Sequence, residues 1–158
     1  MRAGIGYDVH RFIEGKGVVI GGIEIPYSKK LEGHSDADVV AHAIADALLG
    51  AGGLGDIGIH FPPSDPRYTG VSSMIILEKV RMMLSKEKFI IDYIDVMVVM
   101  EEPKISPYVD KMREKISEAL NIESSRISIK ATTNEGMGFV GRKEGASAMA
   151  VCLLKEAV

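Results

Sequence analysis

One cysteine is all the sequence has, so Cys152 has no partner for an intrachain disulfide. Its flanks, Ala150-Val151 and Leu153-Leu154, are apolar and bring no base to the thiol, which reads as a small buried hydrophobe rather than a nucleophile. No apolar run approaches the ~20 residues needed to cross a bilayer, which excludes a spanning helix. The start, Met1 to Asp8, lacks the apolar stretch of a secretory signal, and a cytoplasmic protein is expected. Excess positive charge is missing too. With 19 Lys+Arg against 22 Asp+Glu the net charge is −3, so no uniform field draws the chain to nucleic acid or to an anionic membrane. There is no internal repeat and no low-complexity segment.

What remains is a globular composition, 46% hydrophobic and 26% charged, in 158 residues: enough for one core and too few for two full domains. Ala3 to His10 reads as a strand, and Val18–Ile20 with Gly22–Ile25 as a hairpin turning at Gly21. Ser35 stands where a helix N-cap belongs, with Asp38 three residues on. Val40, Ile44, Ala47 and Leu48 recur at helical spacing to about Leu49, where Gly50 is expected to stop the helix. Gly50 to Thr69, with five glycines and three prolines, exceeds the ~12–15 residues usual for a connection, which marks it as functional. A helix from Gly70 to Ser85 turns Ile76, Val80, Met83 and Leu84 to one side. Ile90 to Met100 is almost continuously apolar and suits a strand covered on both faces.

Ser106 as N-cap and Pro107 in the first turn open another helix, with Val109, Met112, Ile116 and Leu120 inward. Ile127, Ile129 and Ala131 alternate with polar residues, and Ala146 to Leu154 supplies the last strand. Strand, helix and strand across 90–132 require a right-handed parallel crossover, whereas the early hairpin and the final pair of strands are expected to be antiparallel. The fold class is α+β. One domain, 1–158, holds a mixed β-sheet with helices packed on one face and an N-terminal hairpin.

Three of the four histidines lie in or beside two short acidic segments. In Asp8-Val9-His10 the carboxylate and imidazole are two apart, so on a strand they share a face while Val9 points the other way, into the core. Asp38, His42 and Asp46 follow at four-residue steps, one stripe of a helix opposite its apolar face. Two histidines and a carboxylate with an open fourth position form a catalytic zinc pattern. A solvated acidic face with incidental histidines is the competing reading, and spacing alone leaves both open. Gly52-Gly53-Leu54-Gly55-Asp56-Ile57-Gly58 looks like a phosphate cradle, but it lacks the Gly-Lys-Ser/Thr ending of a P-loop and reads more simply as turns. At Lys130-Ala131-Thr132-Thr133-Asn134-Glu135 a strand ends in two hydroxyls and free amides, donors suited to phosphate oxygens, although threonine also simply favours strands.

Taken together, Asp8-Val9-His10, Gly33-His34-Ser35-Asp36-Ala37-Asp38, His42, Gly55-Asp56-Ile57-Gly58, Phe61-Pro62, Pro103-Lys104, Ala131-Thr132-Thr133, and Gly138-Phe139 with Gly141-Arg142 resemble the 2-C-methyl-D-erythritol 2,4-cyclodiphosphate synthases. The resemblance runs from Met1 to Val158 without a large insertion. It implies cyclisation of 4-diphosphocytidyl-2-C-methyl-D-erythritol 2-phosphate with release of CMP, in non-mevalonate isoprenoid synthesis. Zn2+ would be held by Asp8, His10 and His42, and a second divalent cation, Mg2+ or Mn2+, would accompany the diphosphate. His34 and Thr133 match the residues that stabilise the transition state, with Ser35 beside them. Asp56, Ile57, Gly58, Phe61, Pro62, Pro63, Ser64 and Asp65 match the loop around the methylerythritol phosphate. Met100, Glu101, Glu102, Pro103, Lys104, Ile105 and Ser106, with Thr132, Thr133, Asn134 and Glu135, match the cytidine and diphosphate pocket.

The resemblance further implies a homotrimer with each site shared between two chains, and a prenyl diphosphate on the threefold axis near Phe139 and Arg142. Asp46 would orient His42 from behind. Glu101, Glu102, Asn134 and Gly136 depart from the family pattern, which touches cytidine and phosphate contacts rather than metal chemistry. A metal-dependent phosphoesterase, or a non-catalytic binder of prenyl diphosphate, are readings of another class on the same residues.

Overall fold

Strand β1 (Arg2–Glu14) presents Gly4, Gly6, Asp8, His10 and Phe12 to one side and Ile5, Tyr7 and Val9 to the other. Two short strands, β2 (Val18–Ile20) and β3 (Ile23–Ile25), form the hairpin, and β4 (Lys29–Leu31) returns to pair antiparallel with the end of β1. After helix α1 (Val39–Gly52) come a one-turn helix α2 (Ile57–His60), a 3-10 turn at Pro66–Tyr68 and helix α3 (Ser73–Lys86). Strand β5 (Phe89–Val99), helix α4 (Val109–Leu120), strand β6 (Ile127–Thr132), a short helix α5 (Gly138–Gly141) and strand β7 (Gly145–Glu156) complete the chain in this computed structural model, which describes residues 1–157.

The main sheet runs in the order β4-β1-β7-β5-β6. Strands β5 and β6 are parallel, joined through α4 as the crossover reading requires. Strand β7 is inserted between β1 and β5 and is antiparallel to both, so it never pairs with β6, its predecessor in sequence. Helix α1 lies across β1, β7 and β5, with α3 packed beside it and α4 beyond α3 over β6, and all three cover the same face.

Helix α1 lies unusually close to its sheet. A Cβ on Gly6 would stand 1.9 Å from the carbonyl oxygen of Ala43, and one on Gly4 would stand 2.0 Å from that of Ala47. Ala146, Ala148 and Ala150 of β7 extend this floor of small side chains, each fully buried. Such an approach lets Ile44, Leu48 and Leu49 bury completely between sheet and flanking helices, each contributing about 1.5–3 kcal/mol of hydrophobic stabilisation.

Several sequence expectations need correction. Asp38, not Ser35, caps α1: its carboxylate accepts from the amides of Val40 and Ala41 and also from Gly21 and Gly22 of the hairpin. It is fully buried rather than part of a solvated stripe, because α1 is enclosed on nearly every side. The helix continues past Gly50 and ends where Gly53 takes a left-handed conformation, with φ of 71°. The 50–69 segment is not structureless, since it contains α2 and the 3-10 turn. Ser106 starts a 3-10 turn (Ser106–Tyr108) and makes no capping bond to the helix that follows.

Strand β5 is covered on one face only, with Ile91, Ile94, Val96 and Val98 buried and Tyr93 exposed. Val9 is also on that bare face, 43% exposed, because Asp8 and His10 take the side facing α1. Ile5 pairs with Val151 and Tyr7 with Met149 there, an apolar surface that none of the described residues covers. Cys152 is buried as expected, and burial pushes its thiol up to about 11. Among the described residues no helix is long and apolar enough to cross a membrane.

Replacing Gly6 by alanine forces a methyl group into the Ala43 carbonyl. The Gly6→Ala protein is expected to lose about 1–3 kcal/mol of stability or more in urea unfolding, and an unchanged midpoint would show that the helix can back away freely.

Candidate active site

Because alternate residues of a strand share a face, β1 holds Asp8 and His10 side by side beneath α1, and His42 in the first turn of that helix completes a triangle. Asp8 Oδ2 lies 2.9 Å from His10 Nε2 and 3.0 Å from His42 Nδ1, and the two ring nitrogens are 3.4 Å apart. Ligands ~2.0–2.1 Å from a tetrahedral zinc stand roughly 3.3 Å from one another, so these three atoms fit a divalent metal with little adjustment. The donor set, two imidazoles and one carboxylate, leaves a coordination position for an exogenous oxygen.

The electrostatics reflect the crowding. Burial acts to raise the Asp8 carboxyl, but hydrogen bonds and charge from His10 and His42 outweigh it and hold the group below its usual range. Burial acts to lower His10, and the Asp8 carboxylate more than offsets this, lifting the imidazole above its ordinary 6.5. His10 Nδ1 donates to the carbonyl of Glu32 at 2.6 Å, which leaves Nε2 as the free lone pair. His42 Nε2 lies 2.9 Å from Ser73 Oγ and 3.0 Å from Ser35 Oγ.

A cavity of about 190 Å3 opens beside the triangle. Asp8, His10, His34, Ser35 and His42 form its polar side, and Ile57, Gly58, Phe61, Pro63, Tyr68 and Ile76 its apolar wall. Phe61 meets the Tyr68 ring edge-on with centroids 5.2 Å apart. Asp46 makes no hydrogen bond to His42. Its carboxylate accepts the amide of Ile57 at 2.8 Å and so ties α2 to α1, fixing the wall. Asp56 caps α2 through the Ile59 amide, and Asp65 pairs with Arg67. Neither they nor Pro62 and Ser64 line the cavity.

The second group of expected residues lies elsewhere in the chain. Met100 and Thr132 are joined by a backbone bond of 3.0 Å at the ends of β5 and β6, level with the end of β1 that carries Asp8 and His10. Strand β6 is three strands away from β1, roughly 14 Å at ~4.8 Å per step. Thr133 is therefore not brought to the metal triangle of its own chain. Glu101 accepts the Asn134 amide at 2.7 Å, Glu102 pairs with Lys143 at 2.8 Å, and the side chains of Met100 and Ile105 belong to the core. Phe139 is 38% exposed, and Arg142 pairs with Glu144 at the rim of a separate basic hollow with Arg11, Lys29 and Lys143.

Nothing in the sequence singles out Tyr68 or Ser73, and Ile76 reads there only as an inward helix residue. Ser73 is 31 residues from His42, and no local spacing connects them; Tyr68 sits in the glycine- and proline-rich segment whose length alone marked it as functional.

The family model of the YgbB family matches residues 1–155. The chain belongs to the YgbB family. The 2-C-methyl-D-erythritol 2,4-cyclodiphosphate synthase of Prosthecochloris aestuarii is 56% identical over 156 residues, 99% of each chain, and that of Symbiobacterium thermophilum is 56% identical over 154 residues, 98% of each. The IspF of Plasmodium falciparum, solved as a CDP complex, has a TM-score of 0.86 at 35% identity, covering 99% of this chain and 97% of its own. The bifunctional IspDF from Campylobacter jejuni has a TM-score of 0.94 at 37% identity; the match covers 98% of this chain and 42% of that larger one. Likeness of this extent supports a cyclodiphosphate synthase of the YgbB family here.

A pH dependence follows from the site. In the metal-free protein His10 holds its proton more tightly than in the unfolded chain, so its contribution is complete below ~6.5 and is lost as pH rises through the folded value. Asp38, pushed up to about 6 by burial and the Asp36 charge, and Asp46, raised by burial, act with the same sign. Asp8 acts oppositely, but only near and below its ordinary 3.8. With a chelator present, thermal unfolding is expected at a higher temperature at pH 5 than at pH 8. With saturating zinc the order should reverse, since metal ligands must be deprotonated. A chelated protein more stable at pH 8 would contradict this account.

Proposed function

We propose that the protein converts 4-diphosphocytidyl-2-C-methyl-D-erythritol 2-phosphate to 2-C-methyl-D-erythritol 2,4-cyclodiphosphate and CMP, as a cytoplasmic phosphorus–oxygen lyase of the non-mevalonate isoprenoid route. The observation that carries this reading is the Asp8-His10-His42 triangle opening into a cavity with a polar side and a larger apolar wall, in a chain of this family. An oxygen of the 2-phosphate attacks the diphosphate phosphorus that bears the methylerythritol. The bond from that phosphorus to the bridging oxygen breaks, and CMP leaves with that oxygen. A phosphate nucleophile is already ionised, so no strong general base is needed, and the work left is to align the groups and neutralise charge.

Zn2+ on Asp8, His10 and His42, and Mg2+ or Mn2+ with the diphosphate, would supply positive charge next to the oxygens that gain it. His34 and Thr133 would donate to the same oxygens, with Ser35 supporting them. The wall of Ile57, Gly58, Phe61 and Pro63 would hold the methylerythritol and exclude water that would otherwise hydrolyse the diphosphate. Residues Met100–Ser106 and Thr132–Glu135 would take the cytidine end.

One chain does not bring those two groups of residues together, and its sheet has a bare apolar face containing Ile5, Tyr7, Val9, Met149 and Val151. A homotrimer packed through that face, with each site shared between neighbours, accounts for both facts. Phe139 and Arg142 would then lie toward the threefold axis, where a prenyl diphosphate is the proposed occupant.

Purified protein should carry about one zinc per chain, and His42→Ala should remove it; equal zinc in the variant, by elemental analysis, would overturn the ligand assignment. Incubation with the substrate should yield cyclic diphosphate and CMP rather than hydrolysed phosphate. Thr133→Val should fold normally and lose roughly tenfold to a thousandfold in turnover. Refolding His42→Ala and Thr133→Val together should restore part of the activity. Mixed trimers seen by native mass spectrometry with no recovery would sink the shared site.

A further inference from the structure

Ser73, at the start of α3, plays no part in the reaction above, yet it is fully buried against the metal triangle. Its hydroxyl donates to Asp36 Oδ1 through a short hydrogen bond, and Asp36 Oδ2 accepts the Ser73 amide at 2.9 Å. With its proton committed to a carboxylate, Ser73 Oγ has only lone pairs to offer His42 Nε2, 2.9 Å away. An acceptor at that position keeps a proton on Nε2, so Nδ1, which faces the Asp8 carboxylate at 3.0 Å, is the nitrogen left to bind a metal. Ser35 Oγ is also near Nε2, at 3.0 Å, but it lines the cavity, where its hydroxyl is free to turn toward a ligand.

We propose that Asp36 and Ser73 form a relay that locks His42 in the tautomer required for metal binding, making them positioning residues for the metal site. The relay rests on the metal reading given above. Asp36 reaches across from the segment before α1 to the first turn of α3, so the same contact joins the two helices that enclose the cavity. Partners of this kind usually hold metal affinity up by ten- to a hundredfold, because a ring free to flip or change tautomer binds less of the time.

The test uses the full chain. Zinc affinity is measured by competition with a chromophoric chelator for the parent, Ser73→Ala, Asp36→Asn and the double variant, and 15N NMR of the zinc-free parent and Ser73→Ala reports the protonated ring nitrogen of His42. The parent is expected to keep a proton on His42 Nε2, and Ser73→Ala to lose it from part of the population. Ser73→Ala should weaken zinc about tenfold to a hundredfold, and adding Asp36→Asn to it should change affinity less than twofold, since both act through one hydroxyl. Zinc binding by Ser73→Ala within twofold of the parent, or losses that multiply in the double variant, would overturn the relay. If Ser73→Ala fails to fold, the parent spectrum decides alone: a His42 Nε2 without a proton rules the relay out. A parent that takes no zinc refutes the metal reading, while its NMR spectrum still reports on the hydrogen bond.

Discussion

Gly4 and Gly6 let the backbone of α1 settle directly on β1, and the metal triangle is a consequence of that contact. His42 is on α1 and Asp8 on β1, so the 3.0 Å between them is set by how near the two backbones come. A helix held off by ordinary side chains would carry His42 several ångströms from the carboxylate, beyond the reach of one small ion. Ala43 and Ala47 complete the arrangement from the helix side, and the alanines of β7 keep the floor flat beneath it. Small residues, chemically silent in themselves, place the reactive ones.

Carboxylates near the site have divided their work. Asp38 is a structural group: four amides from two elements converge on it, which joins the hairpin to the start of α1 and offsets the cost of full burial. Asp46 anchors the wall of the cavity through Ile57. Asp8 alone has its oxygen turned toward two imidazoles, and there burial is outweighed by attraction, so the charged form a metal needs is the favoured one.

Much of this was legible in the sequence. The two-residue step from Asp8 to His10 placed both on one face, and the helical register of Val40, Ile44 and Leu48 located α1. The α+β class, the parallel crossover and the three candidate ligands followed from local pattern and resemblance. Local pattern could not say which face of β1 met the helix, and Val9 was therefore placed on the wrong side. Ser35 and Asp38 were both acceptable caps by spacing; the choice was made by Gly21 and Gly22, which arrive from a separate hairpin. The apolar run of β5 suggested cover on both sides, whereas one side of it faces away from the rest of the chain. Ser73 was invisible because its partner is a helix away.

Strand β7 is the central strand in space and the last in sequence, and its ladder with β1 joins Arg2 to Leu154. During synthesis β1 and α1 emerge early with their alanine- and glycine-lined contact ready to form, but the edge of β1 that β7 will occupy stays open until nearly the whole chain is made. The sheet is therefore two unlinked pieces, β4-β1 and β5-β6, until its final strand zips between them. A topology so dominated by distant partners folds slowly, and in the interval it exposes unpaired strand edges. The order of events is local helix contact first and sheet closure last.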